Sequence, residues 1–531
     1  MKAPARFALS FALSIWGGLM LVLAVPTFGA WPLMWAALVP QLLVALGART
    51  PKRAFLHGWL TGTIANTIGF YWMDNLLERF GHMSPLEAIP IMLLLTAYQG
   101  LEFALFSWGV VRVRARVGPR APLALIAPLV MAAIELAMPQ VFPFYLAISQ
   151  AWNPHVIQLA DLTGPIGVTF LMLVLNGALV DAWLGWRAGR GRAALRPLAV
   201  AAALIVANFG YGAARLRQVD AARAAAPKVK TGLVQANVGI LEKWDPQEFA
   251  QLLENHQQLS ADLARAGAEL IVWPESSYPY PLSRTFAGDF PDADPRRVRR
   301  GFETPLLFGA VTRVAGRPSV PAERYPYNTA LMMDGQGSVT GKFDKVFLML
   351  FGEYIPFYDS IPWFTKVFPE ASNFSRGSEP ASFPLRVNGR DFKLGPLICY
   401  EDILPGFTRR VAKLAPNAFI NITNDAWFGR TAEPYQHLAL AVFRSIEHRL
   451  EMVRAVNTGV SAHIDAAGRV LSQSPSVDPS EAPPPAPATL LVELAMLEGG
   501  GLYRHVGDLF AFLCVVALAG LMLRPVMKNR D

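Results

Sequence analysis

The stretch Gly395-Pro-Leu-Ile-Cys-Tyr-Glu-Asp402 decides how the rest of this 531-residue chain is interpreted. A mostly apolar run, Phe392–Ile398, leads into Cys399, and two carboxylates follow closely. This pattern is typical of a β-strand that delivers a nucleophile to a tight strand-to-helix turn. A thiol at such a turn is useful only if one group takes its proton and another receives the developing oxyanion.

Two upstream residues are candidates for those roles. Glu275 ends the apolar run Ile271-Val-Trp-Pro-Glu275, where an apolar setting favours a general base by raising its pKa. Lys345 ends Gly341-Lys-Phe-Asp-Lys345 and offers a fixed cation close to the attacked carbonyl group. Taken alone, Glu275 better fits a surface carboxylate after a strand, and Lys345 better fits a solvated lysine.

The order Glu, Lys and Cys, each at a strand end, resembles the nitrilase superfamily. Four motifs together are similar to one of its families, the apolipoprotein N-acyltransferases: Trp273-Pro-Glu-Ser, Phe351-Gly-Glu-Tyr-Ile-Pro, Ile398-Cys-Tyr-Glu and Asn424-Asp-Ala-Trp-Phe-Gly. The resemblance covers most of the chain, because that family also surrounds its nitrilase domain with membrane helices.

The resemblance implies a role for each site residue. Glu275 is expected to be the general base, Lys345 the oxyanion stabiliser and Cys399 the nucleophile. Six further residues are expected to support them or to bind substrate: Glu353, Tyr400, Glu401, Trp244, Trp427 and Asn328. The two tryptophans equally fit core or membrane-interface packing.

One segment departs from the family pattern. The family usually has Lys-x-His-Leu-x-Pro before Phe-Gly-Glu, whereas this chain reads Lys345-Val-Phe-Leu-Met-Leu350. Phe347 therefore replaces the family's histidine and Leu350 its proline. This change is expected to affect the conformation of the loop and the handling of the acceptor, but not the three catalytic groups.

The composition indicates a membrane protein. Hydrophobic residues make up 53% of the chain and charged residues only 17%, which is too apolar for a soluble enzyme. Runs long enough to cross a bilayer predict about eight spans: Phe7–Val25, Phe28–Gly47, Ala54–Met73, Ala88–Val111, Ala121–Ala137, Pro165–Trp186, Pro197–Ala214 and Val506–Leu523.

The basic residues predict the orientation of these spans. They cluster in every second loop and at both ends: Lys2, Arg6, Arg49, Lys52, Arg53, Arg112, Arg114, Arg116, Arg120, Arg187, Arg190, Arg192, Arg196, Arg524, Lys528 and Arg530. The positive-inside rule then places both termini in the cytoplasm and the long segment between the last two spans outside. The net charge of +8 thus reports membrane topology, and no nucleic-acid partner is expected.

The periodicity changes after Lys230, where short β-rich runs alternate with polar, helix-compatible stretches. Periodicity alone predicts an α/β domain, and the nitrilase resemblance implies an α-β-β-α sandwich. The expected domains are residues 1–214 with seven membrane helices, residues 215–504 as an extracytoplasmic catalytic domain, and residues 505–531 with the last helix. No metal or other cofactor is expected, since the 8 histidines are scattered and a phosphate loop is missing.

The expected function is acyl transfer in the bacterial inner membrane. The resemblance implies a phospholipid donor, phosphatidylethanolamine, and the amine of a diacylglyceryl-cysteine apolipoprotein as acceptor, with a Cys399 thioester between them, in a monomeric enzyme with a periplasmic catalytic domain. The alternatives are a membrane-anchored amidase that uses water as the acceptor, and a non-enzymatic transporter or scaffold. About eight spans argue against the amidase, because a simple tether needs one.

Overall fold

A computed structural model describes residues 3–79, 81, 83–314, 325–350, 352–354, 373–478, 480–481 and 485–523. Phe351 of the Phe-Gly-Glu motif, Lys2 and the C-terminal basic residues Arg524, Lys528 and Arg530 lie outside these ranges. The chain forms two compact units. The first comprises Met1–Asp74, Ser84–Arg217 and His505–Asp531, and the second Asn75–Met83 and Gln218–Arg504.

The first unit is helical. Its helices within the described ranges, including those that continue into the second unit, are α1 Ala3–Ala24, α2 Val39–Gly47, α3 Pro51–Gly69, α4 Met73–Arg79, α5 Pro85–Gln99, α6 Leu101–Val117, α7 Leu123–Ala137, α8 Pro154–Ile157, α9 Ala160–Thr163, α10 Pro165–Arg187 and α11 Arg196–Ala225. Near the C-terminus, α16 Tyr503–Val506 and α17 Leu509–Leu523 follow the second unit.

Several of these helices are apolar enough for a membrane. Within the described ranges, four helical segments have the length and hydropathy to cross one: Ala5–Ala24, Pro85–Val117, Pro165–Arg187 and Gly191–Ala225. Three shorter apolar segments, Trp31–Gly47, Leu123–Ala137 and Leu509–Leu523, also coincide with predicted spans. The predicted helical region is therefore confirmed, and the number of eight spans stays a prediction.

The second unit contains two β-sheets. The strands of the described residues are β1 Lys228–Gln235, β2 Leu270–Val272, β3 Tyr278–Ser283, β4 Leu306–Arg313, β5 Tyr327–Met333, β6 Val339–Asp344, β7 Phe383–Val387, β8 Arg390–Ile398, β9 Ala418–Thr423, β10 Glu451–Val456, β11 Ala462–Ile464, β12 Val470–Gln473 and β13 Ala488–Ala495. The helices among them are α12 Ile240–Trp244, α13 Phe249–Arg265, α14 Pro405–Ala412 and α15 Glu433–His448.

The sheets have mixed topology. One has the order β13-β1-β2-β4-β5-β6, with β3 paired to β4, and the other has the order β12-β11-β10-β9-β8-β7. Parallel pairs β1–β2, β2–β4, β8–β9 and β9–β10 form the middle of each sheet. In these pairs the carboxyl ends of neighbouring strands lie at the same sheet edge, which is where loops bring functional side chains together.

The central strands of both sheets are buried, and most of their side chains are apolar. The residues of β2, β9 and β10 are all buried, as expected for parallel strands covered on both faces. The core of the first sheet packs Trp273, Phe308 and Tyr278 against Leu253 and Leu263 of α13. The predicted α/β domain is therefore confirmed.

Candidate active site

Three strand ends carry the three predicted catalytic residues. Glu275 follows β2 after Trp273 and Pro274, Lys345 directly follows β6, and Cys399 directly follows β8. β2 and β6 belong to one sheet and β8 to the other. All three residues lie in the second unit, and Glu275 and Lys345 are close enough to Cys399 to act on it electrostatically.

Lys345 is held between two carboxylates. Its Nζ lies 3.1 Å from Oε1 of Glu275 and 2.7 Å from Oε2 of Glu353, and its side chain is 1% exposed. Burial lowers the pKa of Lys345, but the negative charges of Cys399, when it is ionised, and of Glu275 and Glu353 outweigh burial and raise that pKa well above its ordinary value. Lys345 therefore supplies a permanent cation.

Asn328 on β5 joins the same two carboxylates. Its Nδ2 donates to Oε1 of Glu275 at 2.6 Å and to Oε1 of Glu353 at 2.8 Å. Its backbone carbonyl accepts from the N–H of Lys345 at 2.9 Å. The weak sequence match at Asn328 thus corresponds to a residue in direct contact with the predicted base and stabiliser.

Cys399 lies at a constrained turn. Its φ is +52°, in the left-handed region, and it begins a short 3-10 helix, Cys399–Ile403. Left-handed backbone at a non-glycine residue is strained and tends to occur at functional sites. The side chain of Asn421 donates to the carbonyl of Cys399 at 3.1 Å, which helps to hold this conformation.

The electrostatics of Cys399 favour the thiol over the thiolate. Burial and the charge of Glu275 raise the pKa of Cys399 well above its ordinary value, and Lys345 opposes them. A protonated thiol is a poor nucleophile, so the site needs a base. Glu275, which acts electrostatically on the thiol, can supply one.

Glu401 connects the cysteine turn to the lysine loop. Its Oε1 accepts from the N–H groups of Val346 and Phe347 at 2.7 and 3.1 Å, and its Oε2 accepts from the N–H of Ile398 at 2.9 Å. Burial raises the pKa of Glu401 to about 8 although these donors and Lys345 lower it. Its contacts are those of a positioning residue.

The aromatic candidates differ in their surroundings. Trp244 ends α12 and is 48% exposed, with Nζ of Lys243 5.7 Å from its ring centroid. Tyr400 is half-buried directly after Cys399, and burial raises its pKa. Trp427 is half-buried in the turn that follows β9. These positions leave each tryptophan partly accessible, and their roles stay a prediction.

Two features of the site were not predicted from the sequence. Lys243 donates from Nζ to the carbonyl oxygen of Glu275 at 3.0 Å, and its place beside Trp244 in a family-like motif was the signal for it. Asp402 accepts from His437 at 2.7 Å and from Arg454 at 2.6 Å, all three being buried. Nothing in the local sequence links those three residues.

Asp425, Glu433 and His437 are the set of possible metal ligands in the described residues, with their ligand atoms within 4.8 Å of one another. Burial and Arg454 lower the pKa of His437, but Asp402 and Asp425 outweigh them and raise it to about 9. A protonated imidazole has no lone pair for a metal. The set is therefore better described as an imidazolium balanced by carboxylates.

Comparisons with known proteins match both parts of the chain. Residues 17–178 match the apolipoprotein N-acyltransferase N-terminal domain, and residues 230–479 match the carbon-nitrogen hydrolase domain. A crystal structure of an amidase from Nesterenkonia sp. is 20% identical and covers 51% of this chain and 92% of the amidase, with a TM-score of 0.33, a likeness too weak to support an argument.

Curated relatives extend over nearly the whole chain. The apolipoprotein N-acyltransferase of Geobacter metallireducens is 31% identical over 96% of this chain and 94% of its own length. The enzyme of the same name from Caulobacter vibrioides is 31% identical over 96% of this chain and 93% of its own length. With a helical N-terminal region and a nitrilase-like α/β domain, the chain belongs to the apolipoprotein N-acyltransferase family.

Proposed function

We propose that this chain transfers an acyl chain from a phospholipid to the N-terminal amine of an S-diacylglyceryl-cysteine apolipoprotein, through a thioester on Cys399. The observation that carries the proposal is the cluster of Lys345, Glu275, Glu353 and Asn328, which are joined by hydrogen bonds and ion pairs. Its three charged members act electrostatically on Cys399. Full-length similarity to enzymes of that name supports the substrates.

The first half-reaction forms the thioester. Glu275 takes the thiol proton of Cys399, and the thiolate attacks the ester carbonyl of the phospholipid. Lys345 and the backbone N–H of Tyr400 stabilise the oxyanion. The tetrahedral adduct collapses with loss of the lysophospholipid alkoxide, which receives the proton from Glu275.

The second half-reaction forms the amide. The neutral α-amine of the diacylglyceryl-cysteine attacks the thioester, and Glu275 takes its proton. The C–S bond breaks, the thiolate of Cys399 leaves, and the proton returns to the sulfur. The donor proposed is phosphatidylethanolamine, and the kinetics are expected to be ping-pong.

We also propose the location. The chain acts as a monomer in the bacterial inner membrane. The catalytic domain is in the periplasm and both termini are in the cytoplasm, because basic residues cluster in every second loop. Accessibility labelling of single cysteines placed at exposed Gly389 and at exposed Lys413 tests this orientation. If a membrane-impermeant reagent labels these cysteines only after the inner membrane has been permeabilised, the proposed orientation is contradicted.

The decisive experiment is mass spectrometry of the purified full-length protein after incubation with phospholipid. We expect one acyl group on Cys399 that disappears when a diacylglyceryl peptide is added, with formation of the amide. Loss of the acyl group to water at the same rate, with or without peptide, would favour an amidase or hydrolase instead.

A further inference from the structure

Asn457 directly follows β10 and forms hydrogen bonds with residues that follow strands of both sheets. Its Oδ1 accepts from the N–H of Val238 at 3.1 Å, and its Nδ2 donates to the carbonyl oxygen of Val238 at 2.8 Å. Its own carbonyl oxygen accepts from the N–H of Asn237 at 3.0 Å. Nδ2 also donates to Oδ1 of Asn424 at 3.0 Å. Because Val238 comes after β1 of one sheet and Asn424 after β9 of the other, this one residue connects the two sheets.

The contacts of Asn457 specify the chemistry of its side chain. The residue is 4% exposed, and its amide uses Nδ2 to donate to two acceptors and Oδ1 to accept from one donor. A carboxylate of the same size has no donor. It would place an oxygen against the carbonyl oxygen of Val238 and against Oδ1 of Asn424. The position therefore suits an amide and excludes a carboxylate.

The two segments that Asn457 joins each lead to a tryptophan. Residues 237–244, named here the Trp244 segment, run from the end of β1 through α12 to Trp244, which is 48% exposed. Residues 424–428, named the Trp427 segment, follow β9 and contain the half-buried Trp427. An indole combines a large apolar face with one N–H donor. Accessible indoles on both segments are therefore suited to contact a ligand that has both acyl chains and polar groups.

Both segments also reach the proposed catalytic groups. In the Trp244 segment, Nζ of Lys243 donates to the carbonyl oxygen of Glu275 at 3.0 Å. In the Trp427 segment, Asp425 is close enough to Cys399 for its charge to act on the thiol. Within the described ranges, Asn457 itself has no hydrogen bond to Glu275 or to Cys399. It can therefore act on the reaction only through the segments that it joins.

We propose that Asn457 is a positioning residue for the acyl donor, which holds the Trp244 segment and the Trp427 segment together as two walls of the phospholipid site. This inference rests on the proposed function and deepens it. Segments that are free to separate must be ordered when the lipid binds, and that ordering weakens binding. By fixing them in advance, Asn457 lowers the phospholipid concentration that the enzyme needs and takes no part in bond making.

Asn457→Asp tests the inference, because it keeps the size of the side chain and the acceptor for the N–H of Val238 but removes both donors. Single-turnover acylation of Cys399 is measured with the full-length protein in detergent over a range of phosphatidylethanolamine concentrations. Loss of these hydrogen bonds predicts an apparent Kd that is about 5- to 100-fold higher. The maximal rate is expected to stay near that of the unmodified protein. A slower maximal rate with an unchanged Kd would overturn the inference.

Asn417→Asp is the matched control at the opposite end of β9. Asn417 is half-buried, its Nδ2 donates to the carbonyl oxygen of Leu497 at 3.1 Å, and its Oδ1 accepts from the N–H of Lys393 at 2.9 Å. The variant loses the donors of a structural amide but leaves both tryptophan segments in place, so the Kd is expected to stay unchanged. An equal increase in Kd in both variants would assign the effect to general stability and overturn the inference.

Asn424→Ala provides a second, milder variant if Asn457→Asp does not fold. It removes the acceptor for Nδ2 of Asn457 on the Trp427 segment and keeps both contacts with Val238. We expect a smaller increase in Kd, again with the maximal rate retained. An unchanged Kd in this variant would mean that the two segments need not be joined, which contradicts the proposed role.

Hydrogen exchange separates this inference from the proposed function, because it needs no substrate. In Asn457→Asp, the amides of residues 237–244 and 424–428 are expected to exchange faster than in the unmodified protein, whereas Asn417→Asp leaves both segments unchanged. Unchanged exchange in Asn457→Asp would overturn the positioning role, and faster exchange with an unchanged Kd would overturn the role in lipid binding. If phospholipid does not acylate the unmodified protein although exchange in the variant rises in both segments, the proposed function fails and the connection through Asn457 remains.

Discussion

Glu401 accepts a hydrogen bond from the backbone N–H of Val346 over 2.7 Å. This single bond joins the turn that carries Cys399, the proposed nucleophile, to the residue that follows Lys345. The two residues are 55 positions apart in the chain and follow strands of different sheets. The distance between the thiol and the lysine therefore depends on a contact outside the triad.

Glu401→Gln tests this connection. The side-chain NH2 of glutamine would face at least one backbone N–H, because both carboxylate oxygens now accept from N–H groups. One unsatisfied buried donor predicts a loss of about 1–3 kcal/mol in the free energy of unfolding and slower acylation of Cys399. Denaturant unfolding and single-turnover acylation measure the two effects. The exposed Glu254→Gln is the matched control, and an equal effect of both variants would contradict a connecting role for Glu401.

Lys345→Met is expected to have two separable effects. It removes the oxyanion stabiliser, which predicts a rate loss on the order of 10²–10³. It also leaves Glu275 and Glu353 buried without their cation, which predicts a destabilisation of about 3–5 kcal/mol. The double variant Lys345→Met/Glu353→Gln removes one of those charges.

We expect the double variant to recover a large part of the stability but none of the rate. Thermal unfolding and mass spectrometry of the acyl-enzyme measure the two quantities on the same samples. Recovery of the acylation rate together with stability would mean that Lys345 only neutralises its neighbours, and the oxyanion stabiliser would have to be another group.

The ion pair of Arg79 with Asp478 predicts a role for the segment Asn75–Met83. Nη1 and Nη2 of Arg79 contact the two carboxylate oxygens of Asp478 at 3.0 and 2.9 Å. The Arg79 side chain is 42% exposed, so Arg79→Ala is expected to cost only about 1 kcal/mol in stability. Because the pair packs against Gly429, beside Trp427, we expect a change in substrate KM larger than that in kcat.

Gly429→Ala is the matched steric variant. Gly429 has φ +59°, and a Cβ there would lie 2.8 Å from Oδ2 of Asp478 and 3.0 Å from Nη1 of Arg79. The methyl group would therefore displace the ion pair. Steady-state kinetics should show the same change in KM as Arg79→Ala, and the exchange Arg79→Asp/Asp478→Arg should restore part of it. Unchanged KM in both single variants would exclude the segment from substrate handling.

The buried imidazolium predicts a loss of stability at alkaline pH. The pKa of His437 is raised from 6.5 to about 9 in the folded protein, so the folded state retains a proton that the unfolded state loses. This contribution is complete below pH 6.5 and disappears as the pH rises through about 9. Unfolding curves from pH 6 to 10 should show this decline, and His437→Asn should remove it. The same slope in the variant would assign the decline to another group.

Apolar runs in the sequence correctly predicted strands that lead to the candidate active site, whereas a strand with charged residues was not predicted. The predicted run Phe392–Ile398, which leads into Cys399, lies within β8 Arg390–Ile398 and ends at the same residue. In contrast, β10 was not predicted, because its Glu451 and Arg454 are typical of exposed positions. Both are fully buried, since Glu451 pairs with Arg223 at 2.5 Å and Arg454 with Asp402 at 2.6 Å.

The departure from the family pattern at Phe347 also has a structural setting. The Phe347 ring packs edge-on against Phe407, with 5.3 Å between ring centroids, and its backbone N–H donates to Glu401. The segment after Lys345 is thus anchored by packing and by backbone hydrogen bonds. Neither contact requires a histidine side chain, so phenylalanine at position 347 is compatible with this loop conformation.

The sequence by itself determined the family of the protein and which residues are candidates for its chemistry. Glu275 and Cys399 each follow an apolar run, and local hydrophobicity is sufficient to predict the strands that lead to them and the helices that suit a membrane. Only the tertiary structure decided which buried polar and charged groups contact one another. Asn328 joins Glu275 to Glu353, Lys243 contacts the backbone of Glu275, and Asp402 pairs with His437 and Arg454. These contacts join distant parts of the chain, and in a low-dielectric interior their energies depend on ångström-scale distances that no local pattern encodes.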